Sequence, residues 1–286
     1  MRLRSTSGGT RDVGFIDALL EGLAPDGGLY LPIDLPVFPL EEIQSWDSLP
    51  FAGLASRVAQ RLLEGELEPA LVDRLVTGAL NFPVPTTCLQ ERLFALELFH
   101  GPTLAFKDFG ARFLARFFGH ALAERGDHAT ILVATSGDTG SAVARGFAGV
   151  PRVRVVVLYP AGRVSPFQES QMATIGGNVH ALRVPGTFDD CQRLVKAAFR
   201  EPELASLRLS SANSINIGRL LPQSFYYVAS YLAVAGRSGA PVTFVVPSGC
   251  PDCPTARQTS RARRSAPRPP GSSQRSRNSE GAAGRC

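Results

Sequence analysis

Lys107 is the residue whose setting most favours covalent chemistry. It is one of two lysines in the 286-residue chain, the other being Lys196. It lies in Leu104-Ala-Phe-Lys-Asp-Phe109, among apolar neighbours, where a helix is predicted to begin. The helix dipole and apolar surroundings both favour a neutral amine, which is the nucleophile that forms a Schiff base. The alternative is a surface lysine whose stem covers apolar side chains.

The segment Ser136-Gly-Asp-Thr-Gly140 is the second candidate, because it separates a predicted buried strand from a predicted helix. Backbone N–H groups at such a turn bind anions, for example a phosphate or a carboxylate. An ordinary turn in which Asp138 or Thr139 caps the helix is the alternative.

Further polar residues follow other predicted strands. Arg163 and Ser165 could hold a phosphate, although an exposed loop arginine is the commoner case. Asn213 opens Asn213-Ser-Ile-Asn-Ile-Gly-Arg219, which has more polar residues than helix capping explains. His100 precedes Lys107 by seven residues and suits a structural hydrogen bond as well as a catalytic one.

Alternating strands and helices must position these residues. The predicted strands are Leu93–Phe99, Thr130–Thr135, Val153–Tyr159, Val179–Val184, Leu207–Ser210 and Val242–Val246. The predicted helices are Phe109–Ala123, one from Gly140, Ser165–Ile175, Phe188–Phe199 and Ile217–Ala235. This order predicts an α/β fold, with parallel twisted sheets covered by helices on both faces, and ligands beyond the carboxyl ends of the strands.

We divide the chain into three regions. Residues 1–92 form a helical N-terminal region, with apolar periodicity in Phe15–Leu23, Phe51–Leu63 and Glu68–Leu80. Residues 93–249 form the α/β region. Residues 250–286 lack Leu, Ile, Val, Met, Phe, Trp and Tyr, so we expect a disordered basic tail.

Composition is that of a globular protein, with 44% hydrophobic and 19% charged residues. The net charge of +5 arises in the tail, whose eight Arg and two acids give +6 and leave −1 for the rest. The charge is therefore poor evidence for a nucleic-acid partner. We expect no metal site, membrane span or signal peptide, and a cytoplasmic location; the oligomeric state is not indicated.

Together these segments resemble the threonine synthase family of pyridoxal-phosphate enzymes, which has the tryptophan-synthase-β fold type. The resemblance extends to about Gly249. It rests on the motifs Ala24–Tyr30, Phe99–Gly110, Ala134–Gly140, Gly162–Met172, Ile175–Val179, Asn213–Asn216 and Pro222-Gln223. The Thr-Leu-Ala-Phe-Lys-Asp-Phe motif around Lys107 is the most specific of them.

The resemblance implies that Lys107 is catalytic and holds pyridoxal 5'-phosphate as a Schiff base. The implied reaction converts O-phospho-L-homoserine and water to L-threonine and phosphate. Residues implied to bind the cofactor are Lys107, Ser136, Gly137, Asp138, Thr139, Gly140, Ser248 and Gly249. Those implied to bind the substrate are Thr103, Arg163, Ser165 and Asn213.

The sequence departs from the family at residue 250. The family continues Pro-Ser-Gly with Asn-Phe-Gly-Asn, whereas Pro247-Ser-Gly249 continues here with Cys-Pro-Asp-Cys253. Our hypothesis is a truncated member of the family that the motifs resemble, whose last 37 residues (250–286) are read out of frame. Translating the other two frames after codon 249 tests this hypothesis. If neither frame gives Asn-Phe-Gly-Asn and a further parallel α/β pattern, the hypothesis is refuted. The functional alternatives are a related phosphate-eliminating enzyme and a non-catalytic remnant with an anion-binding tail.

Overall fold

The computed structural model describes residues 1–236 and 239–246. The chain divides into two units, Met1–Gly239 and Ala240–Cys286. The expected disordered tail, 250–286, lies outside the described residues. Within the described ranges, no helix is both long and apolar enough to cross a membrane.

The N-terminal region combines a small antiparallel sheet with helices. The sheet has the strand order β2-β1-β3 and is formed by β1 (Arg2–Ser5), β2 (Val13–Gly14) and β3 (Tyr30–Pro32). The helices are α1 (Phe15–Glu21), α2 (Leu40–Gln44), α3 (Phe51–Leu62) and α4 (Pro69–Ala79). The three helices expected from apolar periodicity are thus present, whereas the sheet is an addition.

Asp26 ties the turn before β3 to β1. Its carboxylate accepts hydrogen bonds from the Ser5 hydroxyl at 2.6 Å and from the N–H groups of Gly28 and Gly9 at 2.9 and 2.8 Å. The hydrogen bond from Ser5, followed by that from Gly28, holds the pKa of Asp26 below its usual value of 3.8.

A two-stranded hairpin joins the N-terminal region to the α/β region. It pairs β4 (Thr86–Gln90) with β5 (Leu93–Leu96) and therefore spans the expected boundary between residues 92 and 93. Leu93 is 50% exposed and Leu89 is 58% exposed, so the hairpin presents apolar side chains on its surface.

The α/β region contains a four-stranded parallel sheet with the order β8-β7-β6-β9. Its elements, in chain order, are α5 (Lys107–Arg125), β6 (Ala129–Ala134), α6 (Asp138–Phe147), β7 (Val153–Pro160), α7 (Pro166–Ala173), β8 (Val179–Val184), α8 (Phe188–Ala198), a 3₁₀ turn (Pro202–Leu207) and β9 (Leu209–Ser210). The parallel order confirms the predicted fold class.

Alternate residues of β6 enter two different cores, as the two-residue period of a strand requires. Ile131 and Val133 belong to the large core that includes Phe113 of α5 and Phe147 of α6. Leu132 belongs to a smaller cluster with Cys191 of α8. Helices therefore cover both faces of this sheet.

The long helix predicted over Ile217–Ala235 is broken, and that prediction was wrong. The structure has α9 (Ile217–Leu220), a 3₁₀ turn (Leu221–Ser224) and α10 (Phe225–Ala235). Pro222 explains the break, because it has no N–H to donate and its ring crowds the carbonyl four residues earlier.

The strand predicted over Val242–Val246 was also wrong. Residues 240–246 have no regular secondary structure. A β-strand requires a neighbour for its N–H and C=O groups, so a favourable sequence alone does not form one.

Asn216 and Gly110 hold α9 against its neighbours. Asn216 is fully buried; its amide donates to the Leu19 carbonyl at 2.9 Å, and its side-chain oxygen accepts the N–H of Gly218 at 2.8 Å. Gly110 of α5 faces the backbone of Arg219, where an added Cβ would lie 2.9 Å from the Arg219 carbonyl oxygen. Asn216 therefore links the start of α9 to α1, and Gly110 allows the backbone of α5 to approach that of α9 closely.

Candidate active site

Lys107 is the first residue of α5, where sequence analysis placed a helix start. Its side chain is 25% exposed. Its Nζ lies 5.1 Å from the centroid of the Phe106 ring, within the range of a cation–π contact. The amine is therefore held against an apolar ring while remaining accessible from solvent.

The loop before Lys107 is fixed by the buried carboxylate of Asp108. One oxygen accepts the N–H of Thr103 and the other its hydroxyl, both at 2.8 Å. Burial raises the pKa of Asp108, and the hydrogen bonds from Thr103 oppose that shift. Leu104 has a positive φ of 58°, which a leucine adopts only at a conformational cost. Two hydrogen bonds thus hold a strained loop that places Lys107.

The turn between β6 and α6 is organised by Thr135, which is 2% exposed. Its hydroxyl oxygen accepts the N–H groups of Gly137 at 3.0 Å and Gly140 at 2.9 Å, and its hydroxyl donates to the Gly137 carbonyl at 3.1 Å. Gly137 has φ 154° and ψ −107°, a conformation that L side chains rarely adopt. The predicted anion-binding turn is therefore a rigid structure.

Asp138 brings the two candidate segments together. It opens α6, and one carboxylate oxygen lies 3.4 Å from Lys107 Nζ. The other oxygen accepts a hydrogen bond of 2.7 Å from the side-chain amide of Gln168. Ser136 is exposed beside it, and the N–H groups of Asp138 and Thr139 have no intrahelical acceptor.

Ser165 caps α7 and is linked to this site through Gln168. The Ser165 hydroxyl accepts the N–H of Gln168 at 3.2 Å, and the Gln168 side-chain oxygen accepts the N–H of Ser165 at 3.3 Å. This reciprocal pair is a capping box. A continuous series of contacts thus joins Lys107, Asp138, Gln168 and Ser165.

Other predicted site residues lie outside this series of contacts. Arg163 and Asn213 are exposed, and neither contacts Lys107 or Asp138. Thr103 is buried and hydrogen-bonded to Asp108. Ser248 and Gly249 lie outside the described residues. The substrate-binding roles of Thr103, Arg163, Ser165 and Asn213 stay predictions.

His100 has a local partner in Glu97, with His100 Nε2 2.7 Å from a Glu97 carboxylate oxygen. Its hydrogen bond to Glu97, followed by that from Thr87, holds the pKa of Glu97 below its usual range. His100 also stacks on Phe99, with ring centroids 4.8 Å apart. These contacts describe a structural histidine.

Sequence reasoning assigned no role to Thr135, Asp108 or Gln168, although each was part of a quoted motif. A threonine directly after a buried strand, and a glutamine three residues after a helix-capping serine, were the available signals. Their partners in the site were not readable, because Gln168 and Asp138 are 30 residues apart.

A groove of about 1220 Å³ lies elsewhere, lined by the N-terminal helices and the C-terminal part of α5. Trp46, Arg57 and Glu124 are among its lining residues, and it contains none of the predicted site residues. Its lining carries charges of both signs, so size alone indicates no ligand. Among the described residues, no group of three or more His, Cys, Asp or Glu side chains could hold a metal ion.

The residues around Lys107 fit the aldehyde end of pyridoxal phosphate. An aldehyde requires a primary amine that solvent can reach, and Lys107 is such an amine. Ser136 is exposed in the turn beside Asp138, and the N–H groups of Asp138 and Thr139 that open α6 have no intrahelical acceptor, so they can donate to an anion. This donor set agrees with an anionic, hydrogen-bonding cofactor.

Comparison with known proteins shows the family to which the chain belongs. Residues 80–249 match the family described as pyridoxal-phosphate dependent enzyme, and residues 2–80 match the threonine synthase N terminus. The chain is 43% identical to the threonine synthase of Serratia marcescens and 42% identical to that of Escherichia coli (strain K12), each over 250 residues.

Solved structures agree with the sequence comparison. The pyridoxal-phosphate-bound threonine synthase from Brucella melitensis has a TM-score of 0.80 and 44% identity, covering 84% of this chain and 53% of its own. The yeast threonine synthase has a TM-score of 0.77 and 35% identity, covering 83% and 51%. The matches to both bacterial sequences cover 87% of this chain and 58% of theirs, so it spans little more than half their length.

Proposed function

This chain belongs to the pyridoxal-phosphate-dependent enzymes and carries the threonine synthase N terminus, and from that premise we propose that it acts as a threonine synthase. The proposed reaction converts O-phospho-L-homoserine and water to L-threonine and phosphate. The observation that carries the proposal is the contact between Lys107 and Asp138, two helix-opening residues 31 positions apart that meet beside the carboxyl end of β6.

Pyridoxal phosphate, when bound, would supply an electron sink for the carbanions formed at the substrate's Cα and Cβ. Lys107 would hold the cofactor and then move protons at those carbons, because it is the amine that the site presents. Asp138 keeps the Lys107 amine at the opening of α6 through their 3.4 Å contact. The Phe106 ring covers one side of that amine and limits water there.

The remaining assignments follow the two ends of the substrate. The N–H groups that open α6, together with Ser136 and Thr139, would bind its carboxylate. Arg163, Ser165 and Asn213 are proposed for its phosphate, since each lies after a strand and offers a cationic or hydrogen-bonding group. Ser248 and Gly249 are proposed for the cofactor phosphate. We place the enzyme in the cytoplasm, with a small-molecule substrate and no nucleic-acid partner.

Cofactor attachment is tested first. The purified 286-residue chain is incubated with pyridoxal phosphate, reduced with borohydride and digested, and the modified peptides are identified by mass spectrometry. We expect modification at Lys107 with little at Lys196, which serves as the control within the same chain. Equal modification of both lysines would contradict the assignment.

Product analysis tests the reaction. O-phospho-L-homoserine is supplied to the reconstituted chain, and phosphate and threonine are quantified in parallel. Equal amounts of the two products, both lost in Lys107→Ala, support the proposal. Phosphate without threonine identifies a phosphate-eliminating enzyme instead. A chain that neither binds the cofactor nor releases phosphate is the non-catalytic remnant.

A further inference from the structure

Gln168 makes a contact that the proposed reaction does not account for. Its side-chain amide donates to an Asp138 carboxylate oxygen at 2.7 Å, while the other Asp138 oxygen faces Lys107 Nζ at 3.4 Å. A hydrogen bond to a charged acceptor is stronger than one between neutral groups, and it restricts rotation of the carboxylate. The orientation of Asp138 toward Lys107 therefore depends on a residue of α7, 30 positions away in the sequence.

The position of the Gln168 amide is itself fixed. Its oxygen accepts the N–H and faces the hydroxyl of Ser165 in the capping box of α7, which leaves the NH₂ group directed at Asp138. An acceptor and a donor on one amide group cannot exchange roles without losing both partners. The start of α7 thus determines where the donor lies.

Gly137 leaves room for this amide. A Cβ added at Gly137 would lie 2.5 Å from the Gln168 amide nitrogen and 2.8 Å from its oxygen. The backbone of the anion-binding turn therefore passes directly beside Gln168. A side chain at residue 137 would displace the amide from Asp138, so glycine is required there for space as well as for its φ of 154°.

We propose that Gln168 is a positioning residue that aims the Asp138 carboxylate at the Lys107 amine and couples this pair to the Ser165 loop. The proposal rests on the proposed function for its consequence, which is correct placement of the amine that handles the substrate's protons. Its physical content, a hydrogen bond that orients Asp138, belongs to the chain alone. It can be tested without cofactor or substrate.

A purely structural role as a helix-capping residue is the competing explanation, and two substitutions separate the roles. Gln168→Glu keeps an acceptor for the Ser165 N–H, because glutamate also forms capping boxes. It cannot donate to Asp138, and its negative charge repels that carboxylate. Gln168→Ala removes both functions. Gln60→Ala is the matched control. It removes a side-chain amide of α3, far from α7, which donates to the Ser56 hydroxyl and the Pro69 carbonyl.

The assay is zero-length crosslinking of the full chain with a carbodiimide. The reagent activates the Asp138 carboxyl group, the neutral Lys107 amine attacks its carbon, and the reagent leaves as a urea. The product is an amide that lacks one water relative to the two side chains. Mass spectrometry of the digest then measures the initial rate at which the Lys107–Asp138 crosslink forms, and a urea titration verifies that each variant is folded.

We expect a Lys107–Asp138 crosslink in the unsubstituted chain and in Gln60→Ala at the same rate. In both Gln168 variants the rate should fall about tenfold, the population change that loss of a charge-assisted hydrogen bond produces. A wild-type rate in folded Gln168→Glu would overturn the proposal, as would absence of the crosslink from the unsubstituted chain. Crosslinking as expected without threonine formation would instead refute the proposed function while leaving the role of Gln168 intact.

Discussion

Replacing Thr135 by valine should destabilise the turn that carries Asp138. Valine has nearly the same shape, so the substitution leaves no cavity and isolates the loss of the hydroxyl. The Thr135 hydroxyl oxygen accepts the N–H groups of Gly137 and Gly140, and Thr135, Gly137 and Gly140 are all buried. Valine would leave both N–H groups without that acceptor.

The magnitude follows from the two buried donors. Each costs about 1–3 kcal/mol when it loses its partner. We expect a total loss of about 3 kcal/mol in the free energy of unfolding, which is in the lower half of the range for two donors. Two features reduce the penalty: Gly140 retains a 3.1 Å hydrogen bond to the Gly137 carbonyl, and the neighbouring Ser136 is exposed, so water is close to the turn. That is a substantial part of the roughly 5–15 kcal/mol that stabilises an average domain.

Urea unfolding measures the effect. With a denaturant dependence of about 3 kcal/mol per molar urea, the midpoint of Thr135→Val should fall by about 1 M. Thr135→Ser keeps the hydroxyl and loses only a methyl group, so its midpoint should fall by less than half as much. Thr87→Val is the control, since Thr87 is exposed and its hydroxyl donates to the partly exposed carboxylate of Glu97.

Two results would refute this reasoning. An unchanged midpoint in Thr135→Val would show that the hydroxyl does not hold the turn. A midpoint as low in Thr135→Ser as in Thr135→Val would show that packing of the methyl group, rather than hydrogen bonding, is responsible.

Three further predictions concern stability. Asn216→Ala should lower the free energy of unfolding by about 2–3 kcal/mol in urea titrations, because the Leu19 carbonyl and the Gly218 N–H both lose their partner on this buried side chain. The control Asn213→Ala, at an exposed position, should change the free energy of unfolding by less than about 0.5 kcal/mol. Gly110→Ala should cost about 1–3 kcal/mol through its clash with the backbone of α9, whereas Gly78→Ala, with open space around it in α4, should stabilise by about 0.5–1 kcal/mol. The pKa of Asp26 is lowered in the folded chain, so its contribution to stability is complete above the usual pKa of 3.8 and disappears as pH falls through the pKa of the folded state. The midpoint of thermal unfolding of Asp26→Asn should therefore approach that of the unsubstituted chain on acidification. A difference between the two midpoints that stays constant with pH would contradict this.

Much of the local structure was predictable because its causes lie within a few residues. The strand Thr130–Thr135 is an apolar run, and the structure places β6 at Ala129–Ala134. Phe113, Phe117 and Phe118 recur at helical spacing, and all lie buried on α5. The break at Pro222 was equally local, and the misprediction came from giving the apolar period more weight than the missing N–H.

Contacts between distant segments were not predictable in the same way. The hairpin partner of Leu93–Leu96 is β4, which carries Thr87 and Gln90 and lacks a clear alternating pattern. The Val242–Val246 segment has strand-like composition but forms no strand. Pairing depends on whether a neighbouring edge is available, and a single segment does not specify that.

The sequence by itself determined which residues could do chemistry: a lysine at a helix start, a glycine-containing turn after a buried strand, and an arginine and a serine after the next strand. Those assignments depend on residue type and short spacing alone. Only the tertiary structure decided that Lys107 meets Asp138 and that Gln168 orients it. The physical reason lies in two long-range arrangements: the parallel pairing of β6 and β7 brings Asp138, after β6, close to Gln168, after β7, and the packing of α5 against α6 brings Lys107 to Asp138.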